Sequence, residues 1–392
     1  MMFQPTALSE RIHTLDIMRG VSLLGILLVN IFAFSLPLPY ILDLNNWFSD
    51  YHDKMWYQTL DIYVQGSFYP LFSMLFGYGL AMQWMKADRL GTNFYPFAAK
   101  RLFVLLAIGL LHAFLLWWGD IITIYAVCGL LLILFLKLGS GWLLSIALMI
   151  NGLFHLLMIS AYALSGIGNE EFETFVDLGS IEDAITAYGI GTWTDAFVQR
   201  LHDLAFQMSP SMWFSALFTI LPYMLIGAAA AKRRMVERAE ELKWFWIILA
   251  VCCIAGGLFL KSFPFHTTRT YLLEYIRVYI GGPVLAAGYA AAIASLCLIP
   301  FVTKLLSPIA KAGRMSLTIY IMQSVICTLL FYHYGFSLYG KTDVSMSIVI
   351  AVSIYVSQLA FAELWFLKFH QGPLEMIVKR LVYGKNVKKV EQ

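Results

Sequence analysis

Charged residues are scarce in this sequence, and their scarcity excludes most classes of soluble protein. Only 13% of the 392 residues are charged, whereas 60% are hydrophobic. The mean hydropathy is +0.73, and ordinary globular domains carry about 25% charged residues. The chain is therefore expected to be an all-α polytopic integral membrane protein.

A strong excess of positive charge is also absent. The net charge is +3, and the basic residues are grouped in short segments beside apolar runs. Proteins that bind nucleic acid instead display a strongly basic patch. We expect no nucleic-acid partner, and the basic residues indicate membrane orientation.

Cysteine is sparse and follows no metal-binding pattern. The sequence also lacks a Walker loop, a GxSxG elbow, an HExxH motif and a dinucleotide-binding fingerprint. The five cysteines lie inside apolar runs, without a CxxC pair or a cluster with histidine, at Cys128, Cys252, Cys253, Cys297 and Cys327. They are expected to be small core residues, and no metal site is predicted.

Long apolar runs are abundant. A helix needs about 20 apolar residues to cross the ~30 Å hydrocarbon core. The first run has no small-residue cleavage site after it, so it is expected to be a retained span. We predict about ten transmembrane helices, five in an N-terminal half (1–164) and five in a C-terminal half (211–392). Their approximate limits are 19–39, 66–85, 102–118, 121–137, 142–164, 211–231, 244–261, 274–299, 315–333 and 345–367.

Loop charges alternate as membrane orientation requires. Basic residues cluster between spans two and three, six and seven, and eight and nine, and in the tail at Lys379, Arg380, Lys385, Lys388 and Lys389. The positive-inside rule places these segments, and hence both termini, in the cytoplasm. The opposite loops are acidic. One of them, 165–210, fits either a small external cap or a solvated loop with one amphipathic helix.

The most informative polar residues belong to the first span. Asp16 and Arg19 precede an apolar run that ends at Asn30. Polar groups inside hydrocarbon are costly and often mark function. Arg19 and Asn30 are eleven positions apart, so they share one helix face, and Asp16 can pair with Arg19. An interfacial anchor with an interhelical hydrogen bond at Asn30 would explain the same residues.

The third span repeats this spacing, since His112 follows Arg101 by eleven positions. Two helices with an arginine at the inner end and a polar group higher up would outline a vestibule. Chance repetition of two common features is the alternative. His112 is the best candidate for a general base, because imidazole exchanges protons near neutral pH. Asp120 is the carboxylate expected beside it, although an exposed aspartate in a turn would follow the same sequence.

Three further features complete the candidate site. His52 lies on an external loop among carboxylates and is a second candidate base, with surface solvation as its alternative explanation. Arg314, at the inner start of the ninth span, adds a cation to the cytoplasmic mouth. Gly77-Tyr78-Gly79 contains a GxG pattern, which inside a span indicates close helix packing rather than a nucleotide loop.

Several motifs, in the same order along nearly the whole chain, resemble the YeiB family of bacterial membrane proteins, a domain of unknown function. The resemblance implies a protein of the bacterial inner membrane. The motifs are Leu15-Asp16…Arg19-Gly20…Gly25…Asn30, Phe68-Tyr69-Pro70-Leu71-Phe72, Gly109…His112…Trp117-Trp118-Gly119-Asp120, Gly313-Arg314-Met315-Ser316-Leu317-Thr318…Gln323-Ser324 and Gly372-Pro373-Leu374-Glu375.

The YeiB family is similar to a wider group of transmembrane acyltransferases, which includes OafA-like sugar O-acyltransferases and heparan-glucosaminide N-acetyltransferases. The resemblance implies transfer of an acyl group from cytoplasmic acyl-CoA, as a co-substrate, to a sugar or lipid acceptor. The OafA-like motif has an essential histidine where this chain has Asn30. Asparagine cannot accept a proton, so the base would be His112 or His52, and Asn30 would donate a hydrogen bond to the oxyanion.

Two classes of function fit these features. In an acyltransferase, Arg19, Arg101 and Arg314, with Asp16 beside them, would hold the phosphates of the donor. In a transporter or flippase for an anionic or lipid-like solute, the same polar stripes would line a path. A non-catalytic lipid-binding protein is a variant of the second class. Membrane lipids are expected partners in each case, and a homodimer is compatible with the sequence.

Overall fold

The helices of the first half follow the apolar runs. The structure, a computed structural model, describes residues 11–172 and 176–384. Glu173, in the acidic segment 165–210, and the tail residues Lys385, Lys388 and Lys389 lie outside these ranges. The first helices are α1 (His13–Ser35), α2 (Leu44–Trp47), α3 (Tyr51–Tyr63), α4 (Phe68–Arg89), α5 (Tyr95–Leu115), α6 (Ile122–Phe135), α7 (Ser140–Ser165), α8 (Leu178–Gly189) and α9 (Trp193–Gln207).

The second half is also helical, so the all-α class is confirmed. A π-helical stretch, Arg277–Gly281, joins α12 to α13, and extended backbone among the described residues pairs only in two isolated bridges. The helices are α10 (Pro210–Lys232), α11 (Lys243–Ser262), α12 (Tyr271–Ile276), α13 (Gly282–Leu296), α14 (Pro300–Leu305), α15 (Ser307–Arg314), α16 (Ser316–Phe331), α17 (Val344–Trp365) and α18 (Pro373–Tyr383).

Each predicted span coincides with a helix, but ten is too high a count. Seven helical segments of the described chain are long and apolar enough to cross a membrane: α1, α5, α7, α10, α11, the α12–α13 helix and α17. α15 and α16, bent by 86°, would make an eighth span. α6 has 14 residues, only about 21 Å, and α4 is long but insufficiently apolar. The chain is a multi-pass membrane protein with seven or eight candidate spans.

Glycines allow two helix crossings at close range. A Cβ atom on Gly77 in α4 would overlap the carbonyl oxygen of Met224 in α10. A Cβ atom on Gly227 in α10 would overlap the carbonyl oxygen of Met74. Small residues permit such backbone contact between helices. The packing role predicted for the GxG segment is therefore confirmed at Gly77, whereas Gly79 faces the guanidinium of Arg19.

The short helix α15 is seated across the start of α1 by the same means. Side chains on Gly20 or Gly313 would overlap the carbonyl oxygens of Ile309 and Asp16, respectively. α15 ends at Arg314, where the 86° bend begins α16. This crossing brings Arg314 close to the beginning of α1.

The described part of 165–210 packs as a helical cap, rather than as a solvated loop with one helix. α8 and α9 contact each other. Arg200 in α9 is buried and donates to the carbonyl oxygens of Phe114 and Leu115 at 3.2 and 3.0 Å, at the end of α5. Asp203 accepts hydrogen bonds from the hydroxyls of Tyr40 and Tyr188 at 2.8 and 2.7 Å. We call this end of the helices the cap end.

Candidate functional site

A cavity of about 350 Å³ lies between α1, α4, α5, α6, the end of α15, α16 and α18. Its volume falls within the range of roughly 300–1,000 Å³ that is typical of small-molecule sites. One end of the wall is polar, and we call it the mouth. The rest is largely apolar and includes Leu23, Ile26, Phe72, Leu75, Phe76, Leu105, Ile122 and Tyr125.

Four arginines from separate positions in the chain meet at the mouth. Arg11 precedes α1, Arg19 lies in its second turn, Arg101 lies in the second turn of α5, and Arg314 ends α15. All four side chains are half-buried. The described wall contains two carboxylates, those of Asp16 and Glu375. Four guanidinium groups against two carboxylates leave a net positive charge, so the mouth attracts anions. We call this space the arginine cavity.

Part of the hydrogen-bonding capacity at the mouth is satisfied within the protein. Arg19 Nη1 lies 2.8 Å from Asp16 Oδ1, as the spacing of the two residues predicted. Arg314 donates to the carbonyl oxygen of His370 at 3.2 Å and lies over the ring of Phe366. These contacts hold two of the arginines in place at the cavity wall.

Other polar atoms at the mouth are buried without a hydrogen-bond partner among the described residues. They are Nε of Arg11, Nε of Arg314 and Oε1 of Gln83. Buried polar groups in proteins are nearly always paired. A polar or anionic ligand, or water, would satisfy these atoms.

The arginines also repel one another. Burial lowers the pKa of Arg11, Asp16 raises it, and Arg314 and Arg19 lower it further. A bound anion would offset both the burial and the repulsion, because an opposite charge nearby favours the charged form of a guanidinium group.

Glu375 caps the first turn of α16 at the edge of the cavity. Its carboxylate accepts hydrogen bonds from the backbone N–H groups of Leu317 and Thr318 at 2.8 and 3.2 Å, and from the Thr318 hydroxyl at 2.6 Å. A Cβ atom on Gly372 would overlap this carboxylate. Burial raises the pKa of Glu375, against the lowering effect of the hydrogen bonds from Thr318 and Leu317.

A buried chain of three polar side chains lies beyond the apolar end of the cavity. His112 Nδ1 is 2.9 Å from Asp120 Oδ1, and His112 Nε2 is 2.8 Å from Ser324 Oγ. The three residues are 3%, 2% and 1% exposed for His112, Asp120 and Ser324. We call them the relay. Asp120 is thus the carboxylate beside His112 that the sequence predicted.

The hydrogen-bond partners of His112 indicate which of its ring nitrogens donates and which accepts. Asp120 also accepts from the backbone N–H of Thr123 at 2.7 Å, through its other carboxyl oxygen. A neutral His112 with its proton on the ring nitrogen that faces Asp120 fits both contacts. Nε2 is left as the acceptor for the hydroxyl of Ser324. This is the arrangement in which histidine can take a proton from a serine.

Aromatic packing fixes the imidazole. The ring centroids of His112 and Trp117 are 6.4 Å apart in an edge-on arrangement. Trp117 is itself stacked on Phe34 at 3.9 Å. On another side, the ring of Tyr320 lies 5.3 Å from that of His112. The base is held in one orientation by side chains from α1, α16 and the α5–α6 turn.

Tyr320 and Ile121 separate the cavity from the relay. Both residues line the cavity, and each is close to a relay residue: Tyr320 contacts His112, and Ile121 follows Asp120. The Tyr320 hydroxyl is 3.4 Å from both the Ile121 nitrogen and the Gly119 carbonyl oxygen, distances typical of weak hydrogen bonds. The cavity is therefore separated from the relay by the side chains of Tyr320 and Ile121, and Tyr320 is held there by weak hydrogen bonds.

The remaining predicted site residues lie elsewhere. Asn30 is half-buried in α1 but does not line the cavity. His52 is exposed in the first turn of α3, where its backbone N–H donates to Asp50 at 2.7 Å. The two predicted polar stripes share the mouth through Arg19 and Arg101, but their upper members do not meet in this cavity.

Ser324, Arg11 and Glu375 belong to the site although no sequence pattern marked them as functional. Ser324 is 212 positions from His112, and Glu375 is 58 positions from Leu317. Both occur in the motifs shared with the YeiB family, which was the one available signal. Arg11 lies ahead of the first apolar run, outside any spacing argument.

Comparisons with known proteins agree with the membrane architecture. Residues 230–385 match the family described as "Protein of unknown function (DUF418)". The chain is 34% identical over 398 residues to the uncharacterized protein YxaH of Bacillus subtilis, covering 97% of this chain and 96% of that protein. It is 29% identical over 400 residues to the uncharacterized protein YeiB of Escherichia coli, covering 95% and 96%. An uncharacterized protein of Bacillus acidopullulyticus is 28% identical, with coverage of 97% and 96%.

Proposed function

The chain belongs to the DUF418 family, and we propose that it is a membrane acyltransferase that takes its acyl group from an acyl-CoA-type donor. The membership rests on the family match and on the full-length similarity to YxaH and YeiB, which also confirms the resemblance to the YeiB family. The chain is a multi-pass membrane protein with bacterial relatives. The acyl-transfer activity is the proposal.

The observation that carries the proposal is the polarity of the arginine cavity. Arg11, Arg19, Arg101 and Arg314 surround the mouth, and the inner wall is mostly apolar. Arginine makes short, often bidentate, hydrogen bonds to phosphate oxygens. An acyl-CoA has several phosphate charges at one end and an apolar acyl chain at the other. It matches both ends of the cavity, with its phosphates at the mouth.

The relay supplies acid–base chemistry at the opposite end. Asp120 holds His112 with Nε2 as the acceptor. In this state His112 can remove a proton from a hydroxyl or amine as it attacks the acyl carbonyl group. His52 is exposed and lies outside the cavity wall, so His112 is the preferred base. The oxyanion role of Asn30 stays a prediction.

We further propose that the mouth faces the cytoplasm, where acyl-CoA is formed. Lys311, on the same helix as Arg314, is among the basic residues that the positive-inside rule assigns to the cytoplasm. The acceptor, a sugar or lipid, would approach the relay from the membrane or from the cap end. Protein reconstituted in nanodiscs allows binding and transfer to be measured separately.

The first prediction concerns donor binding. Arg19→Gln and Arg101→Gln should each weaken the binding of octanoyl-CoA by about tenfold or more, because a hydrogen bond to a charged group contributes about 1.5–3 kcal/mol. The loss should shrink as salt concentration rises. Isothermal titration calorimetry checks both effects. Arg238→Gln is the matched control, since Arg238 forms an exposed pair with Glu241. Equal affinity in all variants would contradict the assignment of the mouth.

A transporter is the second candidate, and one observation favours it. Tyr320 and Ile121 stand between the cavity and the relay, so the cavity could hold an anionic amphiphile that never reaches His112. Proteoliposomes distinguish the two functions. Release of CoA thiol that His112→Ala abolishes, with octanoyl-CoA binding retained, supports the enzyme. Flux of a labelled solute without thiol release supports transport.

A further inference from the structure

We propose that Ser324 is a nucleophile that carries the acyl group covalently between donor and acceptor. This inference rests on the proposed acyltransferase function and makes it more specific. It replaces a direct transfer, with His112 acting on the acceptor alone, by a transfer in two steps through an ester on Ser324.

The direction of the relay is the first argument. His112 has one nitrogen free to accept a proton, Nε2, and that nitrogen is 2.8 Å from Ser324 Oγ. The hydroxyl nearest to the base is therefore a side chain of the protein itself. The whole relay is buried, and a nucleophile with its base in hydrogen-bond contact is the geometry of covalent catalysis.

Helix geometry gives the second argument. Tyr320 and Ser324 are four residues apart on α16, so they lie on one face, about 6 Å apart along the helix axis. Tyr320 lines the cavity. An acyl group that displaces this loosely bonded side chain would stand one helical turn from the Ser324 hydroxyl.

The reaction balances without any further reagent. The oxygen of Ser324 attacks the thioester carbonyl carbon while His112 accepts the hydroxyl proton. The carbon–sulfur bond breaks, and the departing thiolate takes the proton from His112, which gives CoA thiol and an acyl ester on Ser324. In the second step the acceptor hydroxyl or amine loses its proton to His112 and attacks the ester. The serine oxygen leaves and regains the proton, and the acylated acceptor is released.

A structural role is the competing explanation, in which the hydroxyl of Ser324 only anchors the imidazole. The two explanations differ in one observable. A positioning serine never carries the acyl group, whereas a nucleophile becomes acylated when the acceptor is withheld. Trapping of the ester therefore separates them independently of any loss of activity.

The experiment uses the full chain in nanodiscs with ¹⁴C-labelled acetyl-, octanoyl- and palmitoyl-CoA, without acceptor. We expect acid-stable label from at least one donor, with release of one CoA thiol per labelled chain. Mass spectrometry should place it on the peptide containing Ser324. Ser324→Ala should remove the label and keep donor affinity within twofold. Ser324→Cys should restore it as a thioester that neutral hydroxylamine cleaves.

Controls make each outcome decisive. Thr328→Ala removes a buried hydroxyl one turn further along α16 and should label like wild type. Donor binding without label on wild-type protein, or transfer to an acceptor at wild-type rate by Ser324→Ala, would overturn the nucleophile but leave the acyltransferase function intact. Absence of donor binding would overturn the proposed function itself, and this inference with it.

Discussion

The smallest unit of function in this protein is the hydrogen-bonded relay. Asp120 is eight positions from His112, and the sequence favoured it as the neighbouring carboxylate, with an exposed turn aspartate as the alternative. Ser324 could not be found in this way, since its partner is 212 positions away. Local spacing predicts contacts within a helix or across one turn, whereas contacts between distant helices depend on packing that no short pattern records.

Adding one methyl group at Gly109 tests whether close packing holds Asp120 in the relay. A Cβ atom there would lie 2.6 Å from Thr123 Oγ1 and 3.1 Å from Asp120 Oδ2. Gly109→Ala should therefore displace Asp120 and lower acyl transfer at least tenfold. It should also lower the melting temperature, because overpacking costs about 1–3 kcal/mol. Donor binding at the mouth should stay unchanged.

Gly256→Ala is the control for the same substitution. Gly256 lies inside α11, and a Cβ atom there would meet nothing within 4 Å. Alanine in a helix is favoured over glycine by up to about 1 kcal/mol, so this variant should melt at or above the wild-type temperature with full activity. Equal behaviour of the two alanine variants would refute the packing argument at Gly109.

At the scale of elements, the bend between α15 and α16 organises the mouth. The apolar pattern predicted the ninth span to within a few residues, because hydrophobic length and helix length agree. The bend of 86° has no proline at its break and could not be predicted. It accompanies the close crossing of α15 over α1 at Gly20 and Gly313. The predicted count of ten spans was too high for a related reason. α6 is too short and α4 is insufficiently apolar, so both are held in place by packing against neighbouring helices.

Glu375 should give the protein a pH-dependent stability. Burial raises its pKa in the folded state, so the folded state holds the proton more tightly than the unfolded chain does. The stabilisation is complete below the ordinary glutamic acid pKa of about 4.3 and is lost as pH rises through the raised value. The melting temperature of wild type should fall relative to that of Glu375→Gln across this window.

Differential scanning fluorimetry from pH 4 upward, in the same detergent, measures this difference. Glu375→Gln keeps an acceptor for the first turn of α16 and should flatten the profile. Glu375→Ala also removes the acceptor for the first turn of α16. It should therefore lower the free energy of unfolding by about a further 0.5–2 kcal/mol. Parallel pH profiles for wild type and Glu375→Gln would show that this carboxyl does not titrate differently on folding.

For the whole molecule, the sequence predicted the membrane class, because hydropathy is summed over many residues. It left the segment 165–210 open between a cap and a loop. The cap forms through Arg200 and Asp203, whose partners lie on α5 and near the end of α1. The arginine cavity has a charged mouth and an apolar wall toward the relay. This arrangement likewise arises only when the helices pack together.

The most direct measurement is photolabelling of the purified protein with an octanoyl-CoA that carries a diazirine at the end of its acyl chain. The label should appear on the inner wall of the arginine cavity, in peptides containing Phe72, Phe76, Leu105 and Tyr125. Excess CoA should compete it away, and the combined Arg19→Gln and Arg101→Gln variant should lose it. Label confined to exposed, lipid-facing residues such as Leu153 and Leu157, without competition by CoA, would contradict donor binding in this cavity.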